Sequence, residues 1–448
     1  MTPEQLLEIA NGVLSGAAAN EQIEVACSHG RSTSIKAYEG EVESMTAAES
    51  MGLGVRVLID GKEGFASAGS LDGDVVADTF AQARSNAVFA ERDEFVGIAE
   101  PDGVDAADIE LWSNEVDSMA SETKVQMALD IEKRVRTGHD KIVGVRTATY
   151  GDSVSSIALA STSGIQAATR ATSAGVSVQA LAEDSDGTQT GYGYDGAIRP
   201  SDLSLDNVVD DAISRSVDLL GSTKPDSAKI DLVLEPRMVA TVYGLIASTL
   251  SGDRILKGRS PFVGRLGQQV ASDKLTLVDD PTDVRSLAAS SHDGEGLACR
   301  RNQLITNGEL KSYLHDSYTG RRSGEGSTGS ATRGVRGLPS PGVQALAVAP
   351  GSATMDELIA DVELGLFAFS LTGLHSGVNP VSGDFSVGVV GRMIRDGELA
   401  EPIGECTIGS TLQRLMLDIK TVGGEVTYLP SGVTAPPIVL SGIALAGN

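Results

Sequence analysis

Apolar residues recur at steps of three and four over Val239, Val242, Leu245, Ile246 and Leu250, the spacing of one buried helical face. A short apolar run from Asp231 to Glu235 reads as a strand leading into it. Pro236 opens the helix, because its fixed φ and missing N–H are tolerated in a first turn. Gly252, without a Cβ, is placed to end it. The pattern predicts a central core helix, with α/β modules before it and strands and hairpins after it.

From the N-terminus, Thr2, Pro3 and Gln5 approximate a capping box for a helix whose apolar face is Leu6, Leu7, Ile9, Ala10, Val13 and Leu14. Four strand-like runs follow, near Ile23–Ser28, Ser32–Tyr38, Val42–Ala48 and Leu53–Ile59, and Asp60-Gly61 marks a tight turn. Helices are expected over Asp74–Arg92, Ser121–Arg136 and Leu205–Leu219, with an acidic connection over Glu94–Ser118. Alternating Thr- and Ser-rich strands of antiparallel type fill Lys141–Glu183, and GTQTGYGYDG (Gly187–Gly196) reads as a turn-rich loop. Thr223-Lys224-Pro225 breaks the pattern and sets the main boundary. Residues 1–100 are expected to form an N-terminal α/β domain and 101–224 a middle segment continuous with it. Residues 225–448 are expected to form a β-rich domain. Within that last part, LITNGELKSYL and MIRDGELAEPI place Asn307-Gly308 and Asp396-Gly397 between apolar flanks, a hairpin signal. Thr354 with Glu357 caps one helix through Leu364. The fold class is α+β: an α/β half with helices packed on mixed sheets, then a β-rich domain around one central core helix.

Composition narrows the function classes. A hydrophobic fraction of 41% in 448 residues fits a globular chain with ample core. With 35 basic and 61 acidic residues the net charge is −26, so the average surface repels nucleic acid and anionic membranes. The N-terminus has no basic start before an apolar core, and the apolar stretch Met238–Leu250 is short of the about 20 residues a bilayer needs. A cytoplasmic protein is expected, with Cys27, Cys299 and Cys406 as reduced thiols.

Candidate chemistry is sparse. GEGSTG (Gly324–Gly329) matches a dinucleotide string but lies in a polar loop with no strand before it and no apolar helix after it. Arg321, Arg322, Arg333 and Arg336 crowd that loop, able either to grip a peptide carboxylate or an acidic partner or to pair with neighbouring acids. His292, His315 and Cys299 fall in one region, but their spacing matches no metal motif. In GVNPVSGDFSVG (Gly377–Gly388), Asn379 and Asp384 belong to turns leading into a core strand, and Ser376, Ser382 and Ser386 have no His or Asp at triad spacing.

Three stretches carry a resemblance: Gly252–Pro281 (GDRILKGRSPFVGRLGQQVASDKLTLVDDP), Gly377–Leu399 (GVNPVSGDFSVGVVGRMIRDGEL) and Thr407–Glu425 (TIGSTLQRLMLDIKTVGGE). Together with the helix they follow, they resemble the TldD/PmbA family. In that family the TldD-type subunit carries His-Glu-x-x-x-His on the equivalent helix, two His for a metal and a Glu as general base. The matching positions here are Tyr243, Gly244 and Ser248, and no His lies between His139 and His292, so the motif fits this helix in no register. The resemblance is to the branch without the motif, PmbA or TldE. It implies a cytoplasmic, non-catalytic subunit with no cofactor of its own, paired with a TldD-like chain that holds zinc, the two together processing unfolded or extended peptides. It further implies that Arg321, Arg322, Arg333, Asn379 and Asp384 border the substrate or the partner. Two alternatives stand beside it: a homo-oligomeric peptide-binding or chaperone-like adaptor with no proteolytic role, and a metallopeptidase using His292 or His315. The family is also called a modulator of DNA gyrase, a link the acidic charge makes indirect.

Overall fold

In the computed structural model, which describes residues 1–448, Thr2 caps the first helix from both sides. Its Oγ1 accepts from the Gln5 N–H while the Gln5 side chain takes the Thr2 N–H, so the first turn keeps fewer unmet donors. This helix, α1 (Pro3–Leu14), leads into β1 (Glu21–Tyr38), β2 (Glu41–Ile59), β3 (Lys62–Ala68) and α2 (Gly73–Phe89). The same order then returns. After the short α3 (Glu115–Ser118) come α4 (Ser121–Gly138), β4 (Ile142–Ser161), β5 (Gln166–Asp184), β6 (Gly187–Ala197) and α5 (Leu205–Val217).

The six strands form one sheet in the order β3-β2-β1-β4-β5-β6, and the β1–β4 pair joins the two α-β-β-β-α halves. Residues 1–100 and 101–224 therefore share a sheet. The α+β class expected from the sequence holds, with one refinement. This sheet is antiparallel throughout: hairpins too short for a parallel crossover join β1 to β2 to β3 and β4 to β5 to β6, and β1 also runs antiparallel to β4. Alternation puts Ile23, Val25, Cys27, Ile35 and Ala37 of β1 on one face, where they pack beneath α1, α2, α4 and α5.

Two local expectations are corrected. The four short strands at the start are two long ones. The chain runs straight through Gly30-Arg31 and Ser50–Gly52, and reverses at Glu39-Gly40, both at positive φ, and at Asp60-Gly61. The turn-rich loop at Gly187–Gly196 is strand β6. Its glycines are there for closeness: a Cβ on Gly191 or Gly193 would lie 2.1 or 1.9 Å from a carbonyl oxygen of α5.

Beyond residue 226 the chain forms β7 (Ala228–Leu234), α6 (Pro236–Ser248), α7 (Gly252–Leu256), β8 (Leu277–Asp279), β9 (Asn302–Thr306) and β10 (Glu309–Leu310). Then follow α8 (Ser317–Ser323), β11 (Ala331–Thr332), β12 (Ser340–Pro341), β13 (Leu346–Val348), α9 (Met355–Ala360), β14 (Leu364–Thr372) and α10 (Leu374–Gly377). The chain ends with β15 (Asp384–Arg395), β16 (Glu398–Thr411), α11 (Leu412–Leu417), β17 (Ile419–Val422), β18 (Thr427–Tyr428), β19 (Thr434–Ala435) and β20 (Ile438–Ala446). Strands β16, β15, β14, β7 and β20 pair in sequence, and β16 also pairs with β20, which closes a five-stranded barrel. Closure leaves these strands without a free edge.

The expected hairpin turns at Asn307-Gly308 and Asp396-Gly397 are present, all four residues at positive φ. Gly252 does not end the central helix. It starts α7, donates its N–H to Leu314 O, and has no room for a Cβ against His315. The helix capped by Thr354 stops at Ala360. In the loop read as irregular, Asp316 caps α8, and Gly324 ends it in the left-handed conformation. No helix is long and apolar enough to cross a membrane.

Candidate functional site

Helix α6 organises the site. Val239, Val242, Tyr243, Ile246 and Ala247 are buried in the largest core, between the barrel strands and the sheet containing β8 and β9. The opposite face, with Arg237, Met238, Thr241, Gly244 and Ser248, is only half-buried. The family pattern falls across both faces. Tyr243 is fully buried, its hydroxyl donates to Leu415 O at 3.3 Å, and burial raises its pKa. A Cβ on Gly244 would meet no atom within 4 Å. Ser248 Oγ donates to Leu245 O at 2.7 Å, within its own helix. These three residues do not fit a metal. Nowhere in the chain do three His, Cys, Asp or Glu side chains converge as metal ligands.

The half-buried face of α6 walls a cleft of about 430 Å³ against β6 and β14, lined among others by Tyr192, Tyr194, Arg237, Thr241 and Phe369. A second cavity of about 430 Å³ lies across Tyr194, Arg215 and Arg237 and adds Asp211, Glu235 and Tyr428. The partition is held by charge. Arg215 Nη2 donates to Glu235 Oε2 at 2.7 Å and Nη1 to Phe369 O at 3.2 Å, while Arg237 Nη2 donates to Asp211 Oδ2 at 2.6 Å. The Arg237 guanidinium stacks 4.3 Å from the Tyr194 ring centre. Two atoms here, Arg215 Nε and Glu235 Oε1, are buried with no partner.

Strand β6 is the last of its sheet, so its outer edge is unpaired by any strand. In an antiparallel pair the backbone groups alternate between partner and outside. Arg237 donates to Tyr194 O on the outer side, which places Thr190 and Tyr192 on the same outward phase, inside the cleft. The arrangement offers an extended chain a strand edge, aromatic surface and two paired arginines.

The residues singled out in the sequence lie elsewhere. Arg321 donates to Phe95 O and Gly97 O, both at 2.7 Å, and burial lowers its pKa. Arg322 is exposed and reaches Tyr318 Oη at 3.3 Å. Arg333 pairs with the buried Glu24. Asn379 Oδ1 accepts from the Val381 and Ser382 N–H groups, and Asp384 accepts from Ser382 Oγ at 2.6 Å, in an exposed turn. None lines the α6 cleft. His315 is buried with neither ring nitrogen bonded, His292 lines a different cavity, and burial pushes the Cys299 thiol up to about 12. Tyr192, Tyr194, Arg215, Arg237 and Phe369 were missed. A signal existed: Gly191-Tyr192-Gly193-Tyr194 alternates with period two, glycine toward α5 and tyrosine toward the cleft.

Three family models match in succession, described as PmbA/TldA metallopeptidase domain 1 (residues 23–87), central domain (114–220) and C-terminal domain (227–447). The chain is similar to the metalloprotease PmbA of Escherichia coli O157:H7, 24% identical over 445 residues, covering 99% of this chain and 94% of that one. It is also similar to an uncharacterised protein of Methanocaldococcus jannaschii, 30% identical over 375 residues and covering 79% and 81%. Among solved structures, a proposed modulator of a DNA gyrase from Thermotoga maritima superposes with a TM-score of 0.90 at 23% identity, covering 98% and 99%. TldE from Thermococcus kodakarensis does so at 0.88 and 22%, covering 99% of both chains. These structural likenesses show the fold.

Proposed function

The chain belongs to the PmbA/TldD metallopeptidase family, and from that premise we propose that it is the metal-free, non-catalytic subunit of a two-chain peptidase. The observation that carries this reading is the state of α6, where the family-pattern positions hold a core tyrosine, a glycine and a self-bonded serine. Zinc needs imidazole, thiolate or carboxylate donors, and these positions supply none. The metal and the general base then reside in a TldD-like partner, in the cytoplasm.

In this reading the chain's own contribution is to binding. The outer edge of β6 pairs with the backbone of an extended peptide, Tyr192, Tyr194 and Phe369 cover its side chains, and folded substrates are excluded because only a strand fits the edge. The test is hydrolysis of an unstructured peptide by this chain alone, by the chain with a TldD-like partner, and by the pair with a chelator. Activity confined to the unchelated pair is expected. Chelator-sensitive hydrolysis by this chain alone would overturn the proposal. Inactivity of every mixture would favour a peptide-binding adaptor.

A further inference from the structure

A second strand edge lies far along the same sheet from the α6 cleft. Strand β6 pairs with β5 only from Ala174 to Asp184, and on that side Leu111 covers the next residues, with Thr172 N–H donating to Leu111 O at 2.8 Å. That bond fixes the alternation: Thr172 faces outward, so the N–H and C=O of Ala168 and the N–H of Arg170 face outward too, while the parallel Leu111–Ala171 bridge engages the Arg170 C=O. Both residues are exposed, and no strand pairs with them there.

Cavities flank this edge on both faces. On one face, about 500 Å³ opens beneath the Asp293–Gly294 and Ala331–Val335 segments, over Ala26, Ile157, Leu159 and Ala167. Ile157 is 47% exposed, a large apolar side chain left uncovered by the fold. On the other face a polar space of about 770 Å³ is bordered by Trp112, Arg170 and Ser156. His292 borders both. At the wall of the apolar cavity, Arg333 uses Nη1 on Glu24 and leaves Nε and Nη2 buried with no acceptor. Glu24 offsets that guanidinium and Asp293 shares the wall, so an uncharged carbonyl suits these donors better than a carboxylate.

We propose that the Ala168–Arg170 edge of β5 is a binding site for an extended, uncharged peptide segment of alternating apolar and polar residues. Added as a strand, such a segment bonds to the outward groups of Ala168 and Arg170. Period two then sends its apolar side chains to Ile157 and Leu159 and its polar ones to Trp112 and Arg170. Another open edge, Glu41–Ser50 of β2, is a contrast. It is exposed on both faces and carries Glu41, Glu43 and Glu49, the charged guard of an edge that stays unpaired. The β5 site is independent of the peptidase reading and needs no partner chain.

The test uses the full chain alone and a fluorescently labelled, end-blocked Val-Ser-Val-Ser-Val-Ser peptide. Saturable binding by anisotropy is expected, weakened at least tenfold by Ala168→Pro, which removes an edge donor, and by Ile157→Asp. Glu43→Gln, on the charged β2 edge, leaves it unchanged. Hydrogen exchange on the unmodified chain is a second readout that no misfolded variant can confuse, with slower exchange at Ala168 and Arg170 when the peptide is added. No binding, binding that neither Ala168→Pro nor Ile157→Asp weakens, or unaltered exchange at these two amides would each overturn the proposal.

Discussion

Glu295 should hold a proton at neutral pH, and removing its ability to lose that proton should stabilise the protein above pH 8. Arg56, 3% exposed, pairs with Glu63 and stands 3.8 Å from Glu24 and 4.0 Å from Glu295, while Arg333 pairs with Glu24. The Arg56 and Arg333 guanidiniums thus face Glu24, Glu63 and Glu295 in a largely buried site, with Arg321 on one side and Asp293 and Asp316 on the other. The excess negative charge is relieved if one carboxyl is neutral. Glu295 is the candidate: it is farthest from a cation, one oxygen accepts from the Ser317 N–H at 2.8 Å, and the other has no partner. Burial, then the Glu24 and Asp293 charges, push it up to about 8 from an ordinary 4.5. Between these values the folded chain binds a proton that the unfolded chain has lost. Stability from this group is therefore fully present below the unfolded value and lost as pH rises through the folded one. At about 1.4 kcal/mol per pH unit, the window sets an upper limit of about 5 kcal/mol. Glu295→Gln keeps an acceptor for Ser317 and cannot ionise. Equilibrium urea unfolding of both proteins from pH 5 to 9 should show near equality at pH 5 and a variant more stable by roughly 2 to 4 kcal/mol at pH 8.5. Asp279, pushed up to about 6 by burial, titrates in both proteins and cancels in the difference. A gap that does not grow with pH, or a variant less stable at pH 8.5, would refute a protonated Glu295.

Arg56→Met leaves Glu24 and Glu63 without their shared cation and should cost about 3 to 5 kcal/mol, read as a lowered melting temperature. Gly193→Ala places a methyl 1.9 Å from Val208 O and should destabilise by more than about 2 kcal/mol, whereas Gly244→Ala, in open space on a helix, should gain up to about 1 kcal/mol. Burial pushes the Cys27 and Cys299 thiols up to about 12, so a thiol reagent should label neither in the native chain at pH 8 and both after unfolding. The triple change Tyr243→His, Gly244→Glu and Ser248→His should bind no stoichiometric zinc by elemental analysis; one tightly held zinc per chain would show that this helix can form the site.

Local signals were legible where one residue type answers one need. Thr2 with Gln5, Pro236, Asn307-Gly308, Asp396-Gly397 and Thr354 with Glu357 all do what their chemistry predicts, because caps and tight turns are settled within four residues. Signals set by distant contacts misled. Gly30 and Gly52 look like breaks in a strand, yet lie inside β1 and β2. Gly52 is small because Val335 comes so near that a Cβ would lie 2.3 Å from it. Gly191 and Gly193 look like a loop because α5, which presses on them, comes later in the chain. A glycine reports that something is close or that φ is positive, and the sequence does not say which.

The same limit governs the site. The string at α6 showed that the metal donors are missing, but the helix adds a reason that composition does not contain. Residues 243 and 248 are five apart, and at about 100° per residue a regular helix sets them about 140° from each other. Tyr243 accordingly lies in the core against Leu415, while Ser248 lies on the half-buried side. Two imidazoles at these places would diverge unless the helix bulged or kinked. Such a distortion would pull Val242, Tyr243 and Ile246 out of register with the barrel strands they pack on. In this chain, then, the helix is committed to packing. Its half-buried side keeps Arg237, Met238 and Thr241 toward the cleft, side chains suited to contact and not to holding a metal.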